Sequence, residues 1–297
     1  MLFHTTKKLF TKIAGLHRPV ALAALSRGVS TYGRQAQSRL AGKTVLLTGA
    51  SAGIGAATAL ELVDAAAGDL RLILAARRTD RLNALADKIA AEYPQAEVIT
   101  RALDVSDYKT VPEFVPGLPA AWREIDVLIN NAGMVFGLER VGEIDPRDME
   151  VMFNTNVLGL IQLTQSVVPG MRARGRGDIL NIGSIAGLDP YAGGSVYCAT
   201  KAAVNSFTHS LRKELIDTRI RVLEVQPGAV ETEFSLVRFK GDKEKASKVY
   251  EGTEPLTAED VAEIITFALT RRENTVVAQT LVFPSHQGSA TSLYRKS

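Results

Sequence analysis

Tyr197 and Lys201 stand four residues apart in YCATK, inside a small-residue stretch that reads as a helix. On a helix, positions i and i+4 share a face, so the phenol and the ammonium can point into one space. A free tyrosine has a pKa of about 10 and is a poor base at neutral pH, and a cation one turn away favours its phenolate. The chemistry such a pair offers is proton transfer to or from a bound hydroxyl. Tyrosine and lysine are also common on helix surfaces without purpose, so the pair has to be weighed with what the rest of the chain places beside it.

Two further stretches suit a phosphate-bearing cofactor. TGASAGIG, Thr48 to Gly55, follows a short apolar run and leads into a helical pattern. Glycines there let the backbone turn sharply and let a pyrophosphate approach main-chain N–H groups at the positive end of the helix. The spacing is GxxxGxG, through Gly49, Gly53 and Gly55, and not the GxGxxG of the common dinucleotide fingerprint. Three glycines in such a turn can serve packing alone; their position after the first strand is what favours a cofactor. About twenty residues on, where a carboxylate would bind the adenine ribose of NAD, the chain reads LILAARRTDR. Ala76 takes the acidic position, and Arg77 and Arg78 follow it. A carboxylate would repel a 2′-phosphate, whereas an arginine pairs with one through charge-assisted bonds. Two solvated arginines opening a helix would be poorly placed against its dipole. NADP is therefore expected over NAD, with Arg77 ranked before Arg78.

The elements that carry these residues follow from periodicity. From residue 43, short β-rich runs alternate with helical patterns, which implies repeated βαβ units: an α/β fold with a single-domain, doubly wound parallel sheet of about seven strands and helices on both faces. Strands are expected at 44–47, 70–75, 97–101, 127–129, 178–182, 221–225 and 276–283. Helices are expected around 54–66, 80–92, 107–121, 146–171, 194–217 and 257–270. Several strands are almost wholly apolar, as strands covered on both faces must be. Ligands in such a sheet bind at the carboxyl ends of the strands, which is where the glycine turn falls.

TGASAGIG, NNAG (Asn130 to Gly133), Ser184 in NIGSIAG and YCATK occur in this order, each at or just beyond a strand end except the last. In this the sequence resembles the short-chain dehydrogenase/reductase family from residue 43 to about 285. FSLVRFKGD (Phe234 to Asp242) and SIAGLDPYAGGSVYCATK look like the NADP-dependent 3-hydroxy acid dehydrogenase branch, whose members also oxidise serine and L-allo-threonine. The resemblance implies that the phenol of Tyr197 gives or takes the alcohol proton as hydride moves to or from nicotinamide. It implies that Lys201 also holds the nicotinamide ribose, and that Ser184 bonds the substrate oxygen. Asn156 in NTNVLG matches the asparagine that bends a helix and holds a water leading toward the lysine, Asn154 being the neighbouring decoy. Further cofactor contacts implied are Ser51 and Ile54, Asp104 and Val105 for the adenine, Asn131, and Pro227, Gly228, Val230 and Thr232 near the carboxamide. Asp104 in DVSD would serve equally as a helix N-cap, and Asn131 as a tie between strands. A homotetramer is the family's habit. Past the sixth strand, Arg238 and Lys240 are candidate anchors for a substrate carboxylate; a solvated lid surface, or pairing with Glu231 and Glu233, is the plainer alternative.

The whole chain limits the alternatives. Its 297 residues are 46% hydrophobic and 23% charged, enough for one domain with a large core. Residues 1–40 hold seven basic residues and no acidic one, leaving 28 basic and 32 acidic residues in 41–297. That body has no electrostatic footprint for nucleic acid. Within the leader, Leu2, Leu9, Ile13 and Leu16 can share a helical face opposite Lys8 and Lys12, a composition that suggests mitochondrial targeting, with an unstructured extension of a cytoplasmic protein as the alternative. No window supplies the ~20 apolar residues of a membrane span. Cys198 is the single cysteine and reads as a packed small side chain. The four histidines, His4, His17, His209 and His286, lack metal-ligand spacing. Three functions follow: a hydroxy acid dehydrogenase, a broader carbonyl reductase, or a non-catalytic nucleotide-binding scaffold.

Overall fold

The computed structural model describes residues 33–296. Leader residues 1–32, with the expected targeting face and both His4 and His17, lie outside the described residues, as does Ser297. Seven strands form one parallel sheet: β1 (Thr44–Thr48), β2 (Arg71–Ala76), β3 (Glu97–Ala102), β4 (Val127–Asn130), β5 (Arg176–Ile182), β6 (Arg219–Pro227) and β7 (Thr280–Val282). Their order across the sheet is β3-β2-β1-β4-β5-β6-β7, so the chain reverses direction between β1 and β4, the switch point where a crevice opens.

Alternating side chains feed two cores. Val45, Leu47, Leu72, Leu74, Leu223 and Val225 face helices α1 (Gly33–Leu40), α2 (Gly53–Ala65), α3 (Thr79–Glu92) and α9 (Ala258–Leu269). Leu46, Ile73, Leu128, Ile179, Ile220 and Val222 face the opposite side, against α5 (Leu160–Arg174) and α6 (Ser195–Glu214). Helix α1 precedes the expected domain start at residue 41 but packs on the body: Leu40 is fully buried and Arg39 Nη1 donates to Thr270 O at 2.6 Å.

Three expected elements differ. The helix expected over 107–121 is replaced by turns and two short 3-10 segments, Val111–Glu113 and Ala120–Trp122, because Pro112, Pro116 and Pro119 remove donors and clash with a continuing helix. The helix expected over 146–171 is two helices, α4 (Pro146–Phe153) and α5, joined by a π-helical turn, Asn154–Gly159. Strand β7 covers only the end of its expected run. Upstream, Arg221 Nη1 takes Thr275 O at 3.3 Å, and Ala278 O accepts both Glu224 N at 3.1 Å and Arg212 Nη2 at 2.7 Å.

Beyond β6 lie two short helices, α7 (Phe234–Arg238) and α8 (Lys243–Lys248). They sit over the carboxyl end of the sheet because Gly137 and Arg238 exchange bonds: Gly137 N donates to Arg238 O at 2.9 Å, and Arg238 Nε donates to Gly137 O at 3.0 Å. Among the described residues, no helix is long and apolar enough to cross a membrane.

Candidate active site

Helix α6 presents Tyr197 and Lys201 to one space, as their spacing requires. Both are buried, and Lys201 Nζ lies 5.9 Å from the Tyr197 ring centroid. The lysine is aimed by its bond to Ile182 O at 2.8 Å, at the end of β5. Two residues on, Ser184 caps a short turn by accepting from Ala186 N at 3.1 Å, and its hydroxyl is a polar group that acts on the Tyr197 phenol. Asn156 sits in the π-helical turn, whose wider winding turns it inward, as such insertions commonly do at functional sites. Its Oδ1 accepts from Met134 N at 2.8 Å, and its Nδ2 donates to Met134 O at 2.8 Å and Thr200 Oγ1 at 3.0 Å. Asn154, the decoy, is not among the buried residues of that turn. The α-carbon of Gly133 separates Asn156 from Lys201: a β-carbon there would meet Asn156 Oδ1 at 3.4 Å and Lys201 Nζ at 3.6 Å. The four expected catalytic residues therefore converge.

Electrostatics decide their resting states. Burial pushes the Tyr197 phenol well above its ordinary range and Tyr191 adds to this, while the Ser184 hydrogen bond and the charge of Arg238 pull it back. Burial lowers Lys201 to about 8, opposed by the carboxylate of Glu224. Desolvation thus favours the neutral form of both. Arg238, from the lid, is a cation that lowers the Tyr197 phenol.

Arg238 and Lys240 part company. Lys240 Nζ pairs outward with Asp148 at 2.8 Å. Arg238 turns inward, where Nη2 donates to the Tyr191 hydroxyl at 3.2 Å and the guanidinium lies 5.7 Å from that ring. Neither pairs with Glu233, which is held by Arg78 at 2.9 Å and Arg81 at 2.7 Å. On the same lid helix, Phe234 packs edge-on against Tyr197, with ring centroids 5.8 Å apart.

The glycine turn has the shape a dinucleotide needs. Gly49 and Gly53 have φ of 65° and 53°, in the left-handed region that favours glycine. A β-carbon on Gly55 would lie 2.4 Å from Gly49 O, so the helix begins pressed against the turn. No side chain caps the N-terminus of α2, leaving its first N–H groups to an anion. Ile54 packs against the core. Asn131 is structural in the way its alternative role foresaw, donating from Nδ2 to Thr48 O at 2.9 Å and Gly49 O at 3.2 Å. Asp104 forms a local turn with Ser106, accepting from its N at 2.9 Å and its Oγ at 2.6 Å; with helix 107–121 absent, it caps no helix. Val105 is buried against Gly159 of the π turn.

Other residues complete the rim. Ser51 Oγ accepts from Arg78 Nε and Nη2 at 3.3 and 3.2 Å, so Arg78 lies at the turn, whereas Arg77 is exposed with no polar partner among the described residues. Pro227 ends β6, Gly228 N donates to Val282 O at 2.7 Å, Val230 bridges to Leu256, and Thr232 abuts Gly53. The residues beside Ala76 thus fit a phosphorylated ribose: two arginines, a hydroxyl and no carboxylate on β2. Sequence reasoning missed Tyr191 and Arg81, and offered Glu233 as a partner for the lid cations when it pairs with Arg78 and Arg81. Arg81 was readable three residues after Arg78, on one helix face; nothing local marks Tyr191.

Comparison with known proteins agrees with this geometry. The family model described as short chain dehydrogenase matches residues 43–242. The chain is 55% identical over 259 residues to the NADP-dependent 3-hydroxy acid dehydrogenase of Schizosaccharomyces pombe, covering 87% of this chain and 99% of the relative. It is 48% identical to the Salmonella typhi enzyme of that name, covering 76% of this chain and 88% of the relative. Among solved structures, a closed form of serine dehydrogenase complexed with NADP+ matches with a TM-score of 0.77 and 39% identity, over 86% of this chain and all of that one. The sequence motifs, the sheet order and these likenesses together make the chain a member of the short-chain dehydrogenase family.

Proposed function

We propose that this protein is an NADP-dependent dehydrogenase of small 3-hydroxy acids, of the serine, L-allo-threonine or 3-hydroxypropionate type. NADP(H) supplies the acceptor or donor of hydride. The glycine turn, Ser51, Arg77 and Arg78 would hold its phosphates, Asp104 and Val105 its adenine, and Asn131, Tyr197, Lys201 and the Pro227–Thr232 segment its nicotinamide half. In oxidation the Tyr197 phenolate takes the proton from the substrate hydroxyl, and Ser184 donates a hydrogen bond to the same oxygen as charge builds there. Lys201 keeps a positive charge beside the phenol, and Asn156 holds the backbone at Met134 that borders it. Homotetramer assembly and a mitochondrial address in the basic leader belong to this reading on family resemblance and composition.

Cofactor choice is expected to follow β2 and its arginines. Changing Ala76 to Asp together with Arg78 to Ala repels the 2′-phosphate and removes its partner at the turn. The ratio of Kd for NADPH to Kd for NADH, read by fluorescence titration, should rise about 100-fold, roughly tenfold for each charge effect of about 1.4 kcal/mol. An unchanged ratio would assign the 2′-phosphate to Arg77.

The observation that carries the substrate reading is the inward Arg238, which reaches the Tyr197 phenol electrostatically while Lys240 is spent on Asp148. A hydroxy acid needs such a cation for its carboxylate; a plain alcohol does not. Arg238→Met should raise KM for a 3-hydroxy acid tenfold or more, about 1.4 kcal/mol, and leave KM for an uncharged alcohol of similar size little changed, while kcat falls on both because the Tyr197 phenol loses a cation that favours its charged form. Equal rises in KM on both substrates would make Arg238 a lid fastener to Gly137 and Tyr191. No rise on either would favour a general carbonyl reductase.

A further inference from the structure

Beside the buried Asp178–Arg221 ion pair, the sheet holds a further buried charged side chain that the mechanism does not use. Glu224 stands in the apolar strand β6 and is wholly buried. It faces α6, with Val222 and Gln226 on the same side of the strand. Its carboxylate is built in, not stranded: Oε1 accepts from Gln226 Nε2 at 3.0 Å and Oε2 from Asn205 Nδ2 at 3.0 Å. Gln226 is itself fully buried and braced by Gln279 Nε2 at 2.8 Å.

The position of this carboxylate is more telling than its bonds. A β-carbon on Gly183 would lie 2.3 Å from Glu224 Oε1, so the missing side chain at 183 is the space the carboxylate occupies. Gly183 follows Ile182, whose carbonyl holds the Lys201 ammonium, and precedes Ser184. On α6, Lys201, Asn205 and His209 recur every four residues and form one stripe over β6. The charged and titratable groups facing Glu224 are Lys201, His209 and Arg212, all from α6. His209 Nε2 is buried with no hydrogen-bond partner among the described residues, and Arg212 is directed at the Val222 and Ala278 carbonyls, with Nε and Nη2 at 2.9 and 2.7 Å. From the β7 side, Gln279 is the facing polar group. Among the described residues, Glu224 is the acidic group that acts on Lys201.

We propose that Glu224 is a positioning residue for the reaction: its buried carboxylate, seated beneath Gly183, holds Lys201 as an ammonium and so sets the alkaline limit of the pH range in which Tyr197 and Lys201 work together. The inference rests on the reading of that pair given above. Burial alone drives a lysine toward its neutral amine, and a neutral amine neither supports a phenolate nor binds a ribose as a cation. Burial also raises the Glu224 carboxyl, and the Gln226 and Asn205 amides together with Lys201 and His209 oppose this; as a carboxylate held by two amide donors, it opposes the loss of the Lys201 charge without being free to reorient. Glu224 carries no proton to or from substrate in this account; it acts only through Lys201.

The test separates charge from structure. Glu224→Gln keeps the shape and leaves an amide among amides, whereas Glu224→Asp keeps the charge and loses length. In Glu224→Gln, Lys201 deprotonates at lower pH, so the alkaline limb of the kcat profile for carbonyl reduction should move down by about one pH unit, the shift a single nearby charge imparts. At a pH above that limb kcat should fall about tenfold, with KM for substrate unchanged. Glu224→Asp should restore the limb even where it lowers Tm. Should the Gln variant not fold, Asn205→Ala decides the matter: losing one of the two donors raises the Glu224 carboxyl further, leaves it less fully ionised, and should move the limb in the same direction by less. A Gln or Asn205→Ala profile superimposable on the parent's, or an Asp variant no better than Gln, would show that Glu224 only braces the sheet. If Lys201→Met itself leaves the profile unchanged, the reading of the Tyr197–Lys201 pair fails instead, and the two outcomes are distinguishable.

Discussion

Tyr197→Phe is expected to fold and to bind NADPH, and to lose turnover about 10³-fold, in the range a positioned acid or base contributes. The substitution removes one hydroxyl and leaves the ring that packs edge-on against Phe234 and fills the cluster with Met134, Val135 and Cys198. Among the described residues Ser184 is the polar side chain that acts on the hydroxyl through a hydrogen bond, so losing it costs the fold little. Single-turnover reduction of a carbonyl substrate by prebound NADPH reads the chemical step directly. A near-normal rate in Tyr197→Phe would remove the proton carrier from the mechanism.

Lys201→Met should have the next largest effect, with kcat lower by roughly 10²-fold and NADPH bound about tenfold more weakly. Methionine matches the length of the buried stem, but it cannot donate to Ile182 O and carries no charge. Removing a cation raises the pKa of a neighbouring phenol, so the rising limb of the dehydrogenation profile, which needs phenolate, should move to higher pH. The falling limb should vanish with the group that causes it, since Lys201, lowered to about 8, is the residue that loses its charge there. Profiles of the two proteins that differ only in height would show that the lysine does not tune the tyrosine.

Much of this site was legible because it depends on local spacing. The four-residue interval from Tyr197 to Lys201 survives in any straight helix, and the glycine turn sits where the first strand must meet its helix. Both strands and their alternation were readable from apolar runs covered on two faces. What could not be read depends on contacts distant in sequence. Arg238 and Lys240 are two residues apart and chemically alike, yet one bonds Gly137 and Tyr191 and the other Asp148, a division made by the lid's seat on the 132–142 loop. Likewise Arg78, ranked second, is the arginine that reaches Ser51 and Glu233, because the first residue after β2 points to solvent. Glu224 gave a signal that was passed over, an acid within RVLEVQ, which no solvated strand explains. The helix expected over 107–121 shows the opposite error: periodicity outweighed three prolines that should have excluded it.

Oxidation of 3-hydroxypropionate by the full-length protein with NADP, followed as NADPH absorbance beside 1-propanol, NAD and NADPH-dependent aldehyde reduction, tests the central claim most directly. The account predicts NADPH formation with the hydroxy acid, far less with the alcohol, and little with NAD. Rapid aldehyde reduction with no turnover of any 3-hydroxy acid would contradict it in favour of a general carbonyl reductase. NADPH binding without turnover of either class would leave a nucleotide-binding scaffold that has kept the fold.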